Sequence, residues 1–204
     1  MKSDIFSWGK DTDIAPILSE TERFGIFTGL ERKEADILRL LAEEMFGMTR
    51  GILSAREGWN EWSGAFLAEN DGRDFTLRMT VKARITSKAR DDFLSAAKDG
   101  VNANEKGIFG KLRGVFERMI FASDDVPSET FPLYAYGNGI PVLWSVHAYS
   151  STLDKKEKVR EWDGMEKNIL IGVADDVIAG VSALGAELTV RKDFSKLNKG
   201  RNRL

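Results

Sequence analysis

The chain has 204 residues, 30 Lys+Arg against 32 Asp+Glu, one histidine and no cysteine. This excludes disulfide frameworks, thiol nucleophiles, CxxC redox pairs and iron–sulfur clusters, and also zinc sites built from Cys and His, since one His cannot supply them. A carboxylate site for Mg or Ca and a one-His acid/base site survive. Apolar and charged contents of 42% and 30% are those of a soluble globular chain. With no apolar run of about 18 residues and no signal-type leader, the expectation is a cytoplasmic protein without membrane insertion.

Residues 1–21 are polar and read as an irregular lead-in, with Phe24-Gly25-Ile26-Phe27 a candidate short strand. Glu31 to Met48 reads as a helix: Ile37, Leu38, Leu41, Met45 and Met48 recur at helical spacing, Glu31 and Glu34 favour the first turn, and Gly47 and Gly51 suggest fraying. Residues 59–86 carry the clearest pattern. Phe75, Leu77, Met79, Val81, Ala83 and Ile85 alternate with Thr76, Arg78, Thr80, Lys82, Arg84 and Thr86. Upstream, Trp62, Gly64, Phe66 and Ala68 alternate as well. Asp71-Gly72 suits a two-residue hairpin turn. That turn would set Ala68 opposite Phe75 and Trp62 opposite Val81, with Glu61 facing Lys82 on the wet side.

Ser87 to Asp99 and Ile108 to Phe121 read as helices, separated by a loop over 100–107. A second hairpin is expected from Leu133 to Tyr136 and Val142 to Ser151 around Gly137-Asn138-Gly139, with a further strand at Val159 to Trp162. Residues 165–184 admit two readings. One is a long buried helix from Met165 to Leu184, which the spacing of Met165, Ile169, Val173, Val177, Val181 and Leu184 favours. The other is a strand over 168–173 followed by a helix over 175–184. Both end in a strand at 186–191.

The expected fold is α+β: an antiparallel sheet built from two hairpins plus terminal strands, with four helices packed mainly on one face. Residues 1–190 are expected to form one domain, and 191–204 a basic tail. Residues 191–204 hold six bases against Asp193, so the net charge of −2 divides into +5 on the tail and −7 on the rest.

Candidate sites follow from residue type. Trp59, Arg78, Lys82 and Arg84 share the wet face of the first hairpin, where cations beside an aromatic suit a phosphate backbone and a stacked base. Lys196, Lys199, Arg201 and Arg203 of the tail can bind an acidic surface, RNA or a neighbouring copy. The same residues equally suit a solvated strand face and a solubilising end. His147, the only side chain with an ordinary pKa near neutrality, is a weak acid/base candidate on a strand. Asp175 and Asp176 are weak Mg candidates, although acidic pairs at helix starts are ordinary. No nucleotide-binding glycine loop or nucleophile elbow occurs, and no cofactor is expected. Five tryptophans exceed what one small core needs, and Trp and Arg favour interfaces. The function expected first is therefore a non-enzymatic binding or assembly protein in a homo- or hetero-oligomer. It would act through an aromatic and basic surface and the basic tail. Nucleic-acid or polyanion binding through 73–90 and the tail is the alternative. A carboxylate or His147-dependent enzyme is the third.

Overall fold

The computed structural model describes residues 1–54, 61–84, 134–136, 140–152, 169–182 and 185–195. Its elements in chain order are β1 (Phe6–Gly9), α1 (Ala15–Phe27), α2 (Arg32–Ser54), β2 (Glu61–Asp71), β3 (Asp74–Arg84), β4 (Tyr134–Tyr136), β5 (Ile140–Ser145), α3 (Val146–Thr152), α4 (Ile169–Val173), β6 (Asp176–Ser182) and β7 (Gly185–Asp193). The described strands form one sheet in the order β1-β2-β3-β7-β6-β5-β4. Every neighbouring pair is antiparallel. The α+β class with an antiparallel sheet is therefore as expected. The helices expected over 87–99 and 108–121 and the strand over 159–162 lie outside the described residues.

Strand alternation builds the core face. Phe66 and Ala68 of β2, Phe75, Leu77, Met79 and Val81 of β3, Leu188 and Val190 of β7, and Val177 and Ala179 of β6 are all buried. α2 covers this face with Leu38, Leu41, Ala42, Met45, Phe46, Ile52 and Leu53, all buried. The Phe46 ring lies 5.2 Å from Phe66, and Thr49 donates from Oγ1 to Met79 Sδ at 3.3 Å. α4 packs against α2 through buried Leu170 and Ile171. The α2 start is half of a capping box: the Glu31 N–H donates to Glu34 Oε2 at 2.9 Å. Glu34 is itself buried and forms an ion pair with Arg73. Gly47 and Gly51 do not fray the helix, which continues to Ser54 because Thr49, Ile52 and Leu53 are buried against the core.

Four local readings are corrected. Residues 15–27 form a helix, not a lead-in and a strand. Buried Ile17, Leu18, Thr21 and Gly25 make its stripe, and Gly25 lets α1 close on Leu30, Ala35 and Leu38. A Schellman motif ends it: the Leu30 N–H donates to Gly25 O, the Gly29 N–H to Ile26 O, and Gly29 takes φ 98°.

The β2–β3 register is shifted by two residues. Asp71 pairs with Asp74, Ala68 with Leu77, Trp62 with Ala83 and Glu61 with Arg84. Gly72, at φ 59°, takes the first loop position and Arg73 the second. A shift of two preserves side-chain parity, so the same residues are buried.

The strand read from Val142 to Ser151 stops at Ser145, where Ser145 caps α3; its Oγ accepts from the Ala148 N–H at 3.3 Å. The long helix over 165–184 is overturned, as is its strand-then-helix alternative. Among the described residues of this stretch, Ile169–Val173 is helical and Asp176–Ser182 is a strand in a hairpin with β7. Val177, Ile178, Ala179 and Gly180 are buried on both faces of the sheet, and a continuous apolar run cannot separate such a strand from a buried helix.

Candidate functional site

The face opposite α2 is not simply wet. Glu187 and Thr189 of β7 and Ile178 of β6 are buried there. Arg78 lies among them. Its Nε donates to Glu69 Oε2 at 2.7 Å and its Nη1 to Glu187 Oε1 at 3.2 Å, while Thr189 Oγ1 also donates to Glu187 Oε1 at 3.2 Å. Lys2 pairs with the second oxygen of Glu69. Burial opposes the charge on Glu69, but hydrogen bonds from Lys2 and Arg78, with their positive charge, outweigh it and hold the carboxyl below its ordinary value. The Arg78 guanidinium is likewise held above its ordinary value, against burial, by Glu69 and Glu187. A carboxyl depressed on folding adds stability above its unfolded pKa, which is lost as pH falls through the folded one. Urea unfolding at constant ionic strength should therefore show Glu69 contributing fully at pH 7 and losing its contribution below about pH 4.3. A Glu69→Gln variant should flatten that acid limb, and an unchanged limb would contradict the assignment.

Arg78 is thus committed to two carboxylates. Lys82 is exposed. Arg84 pairs by backbone with Glu61 at the end of the hairpin, and nothing beyond its backbone is described. Trp59, Lys196, Lys199, Arg201 and Arg203 lie outside the described residues. Trp8 and Trp62 are core residues: Trp8 sits edge-on between Phe46 at 5.0 Å and Trp62 at 4.9 Å. β7 runs to Asp193, so Arg191 and Lys192 belong to the sheet. Arg191 pairs with Asp74 at 3.1 Å, and Lys192 Nζ donates to Val173 O at 2.7 Å at the end of α4.

His147 is exposed in the first turn of α3, not on a strand. Asp176 serves the backbone around it. Asp176 Oδ1 accepts from Ser145 Oγ at 2.9 Å, from the His147 N–H at 3.1 Å and from the Val177 N–H at 2.9 Å. Asp175 Oδ2 accepts from the Asp193 N–H at 2.7 Å and lies 3.9 Å from Lys192 Nζ. These aspartates tie β5, α3, α4 and β7 together. No group of three potential metal ligands occurs among the described residues.

The feature that residue types did not reveal lies at the opposite edge. A groove of about 480 Å³ runs between the lead-in to β1 and α1, lined by Ser3, Asp4, Phe6, Glu20, Arg23, Phe24, Ile26 and Phe27. The lining residues on α1 repeat at 20, 23, 24 and 27, one face of the helix. Phe24 forms the inner wall and is anchored edge-on to Phe75 at 6.2 Å. Phe27 is 76% exposed and Ile26 47%, while Ile5, beside Asp4 and Phe6 in the chain, is 71% exposed. The Schellman stop leaves Phe27 as the last helical residue, with no next turn to cover it. Arg23 pairs with Glu20 three residues earlier, and Ser3 Oγ donates to the Asp4 backbone O at 2.8 Å. β1 is the end strand of the described sheet, so its outer edge pairs with no described strand. The signals for this groove were Pro16 at a helix start and Gly29 at its stop, which bracket the two exposed apolar residues at the helix end.

No helix of the described residues is long and apolar enough to cross a membrane. Comparison with known proteins finds no family model, no curated protein and no solved structure that matches the chain.

Proposed function

We propose that this chain is a non-enzymatic binding or assembly protein, and that its contact surface is the groove between the β1 lead-in and α1. The observation that carries this reading is the exposure of Ile26 and Phe27 along one apolar cleft beside a sheet edge that pairs with no described strand. Monomer surfaces scatter single apolar residues, whereas a contiguous group beside a cleft marks a contact site. The occupant is a basic polypeptide segment with aliphatic side chains. Residues 3–27 carry Asp4, Asp11, Asp13, Glu20 and Glu22 against only Lys10 and Arg23. The lead-in edge beside an antiparallel sheet suits an extended segment.

The 73–90 face is the weaker surface for a polyanion, because Arg78 is already neutralised by Glu69 and Glu187. The test is an anisotropy titration with a labelled peptide of alternating lysine and leucine. Phe27→Ser should weaken binding about tenfold, the loss of about 1.4 kcal/mol of apolar contact. Equal affinity for the variant would remove the groove as the site.

A further inference from the structure

Resting on the groove as a binding site, we infer that Asp4, turned into the groove by a β-bulge, is the residue that selects a lysine or arginine of the bound segment. The Glu20–Arg23 pair on the facing helix limits how many such cations the groove accepts.

The bulge follows from the pairing along the sheet edge. Lys2 pairs with Glu69, and the Ser3 N–H donates to Ala68 O at 2.8 Å. Farther along, Phe6 pairs with Phe66. Asp4 and Ile5 together therefore stand opposite the single residue Leu67, the two-against-one count of a bulge. Ser3 holds it in place: its Oγ accepts from the Ala68 N–H at 3.0 Å and donates to Asp4 O at 2.8 Å. In an unbroken strand Ser3 would face away from both Asp4 and Phe6. With the extra residue, Ser3, Asp4 and Phe6 all line the groove, while Ile5 is 71% exposed and outside its lining. The bulge thus sets a carboxylate among Phe6, Phe24 and Phe27.

The charges of the groove then define its ligand. The lining carries Asp4, Glu20 and Arg23, a net of −1. Glu20 is already met by Arg23, and Lys2, two residues before Asp4, is met by Glu69. One cation from a ligand is favoured, placed at Asp4 and flanked by aliphatic side chains against the phenylalanines. A second cation must compete with Arg23 for Glu20.

The test titrates the full chain with the lysine–leucine peptide and with a neutral serine–leucine peptide of the same length. Asp4→Asn should weaken binding of the lysine peptide about fivefold, the upper worth of an exposed ion pair, and leave the serine peptide unchanged. Asp4→Glu should retain lysine-peptide binding. Arg23→Gln, which releases Glu20, should tighten it about threefold. Asp11→Asn removes an exposed acid outside the groove lining and should change neither affinity. An Asp4→Asn chain that binds the lysine peptide unchanged, or that loses both peptides alike, would overturn selection by Asp4 while leaving the groove a binding site. An equal loss from Asp11→Asn would assign the effect to the overall charge of the region and would also overturn it. Weaker lysine-peptide binding by Arg23→Gln would contradict the competition for Glu20. Absence of binding of both peptides to the unaltered chain would sink the binding reading together with this one.

Discussion

Replacing Gly64 by alanine should cost about 3 kcal/mol or more of stability. In a chain of this size that lowers the melting temperature by about 9 °C. A Cβ at Gly64 would lie 2.1 Å from Thr80 O and 2.5 Å from Trp8 Nε1. The first neighbour is backbone of the adjacent strand, held by the β2–β3 ladder. The second belongs to an indole that is 3% exposed and wedged between Phe46 and Trp62. Neither can yield without opening the pairing of β1, β2 and β3. Gly47→Ala supplies the opposite case. Gly47 lies within α2 with nothing within 4 Å of an added Cβ, so alanine there should raise stability by about 0.5–1 kcal/mol. Thermal unfolding of both variants checks the contrast. A neutral Gly64→Ala would contradict the close approach of Trp8 to β2.

Arg78→Met should also cost about 3 kcal/mol. Arg78 stands between Glu69 and Glu187, whose side chains are 17% and 8% exposed. Removing the guanidinium takes the Arg78 cation from buried Glu187 and leaves Glu69 with Lys2. The loss therefore reflects stranded charge more than a lost contact. Adding Glu69→Gln and Glu187→Gln to Arg78→Met should recover much of it, since a neutral set avoids that penalty. Urea titration of the single and triple variants distinguishes this from surface binding by Arg78. A solvated phosphate-binding arginine could be removed with stability nearly unchanged, and that result would return the 73–90 face to consideration.

Side-chain parity was legible wherever one face of a strand is buried. Phe75, Leu77, Met79 and Val81 announced β3 because alternation has no helical counterpart over that length. The register escaped by two residues because parity is blind to a shift of two, and only the turn decides it. Gly72 supplies the positive φ from the first loop position, where Asp71-Gly72 suggested the second. β6 was missed for a different reason. Val177 to Gly180 are buried on both sides, so their apolar run carries no period. α1 was missed because Phe24 to Phe27 were read without the Ile17, Leu18, Thr21 and Gly25 stripe before them.

The candidate site was the least legible part. Basic residues drew attention to β3, yet the sequence could not show that Glu69 and Glu187, nine and 109 positions from Arg78, neutralise it. Tryptophan count pointed to an interface, while Trp8 and Trp62 fill the core. The groove depends on the end of one helix meeting the lead-in of a distant strand, a tertiary fact that residue type alone does not encode. The sequence does separate charge along the chain, acidic over 3–27 and basic over 196–204.

The most direct test is to map, by backbone amide chemical shifts, where the lysine–leucine peptide touches the protein. Shifts concentrated at Asp4, Phe6, Phe24, Ile26 and Phe27 are the predicted result. Shifts concentrated instead along Thr76 to Lys82 and Glu187 to Arg191, with the α1 groove silent, would contradict it.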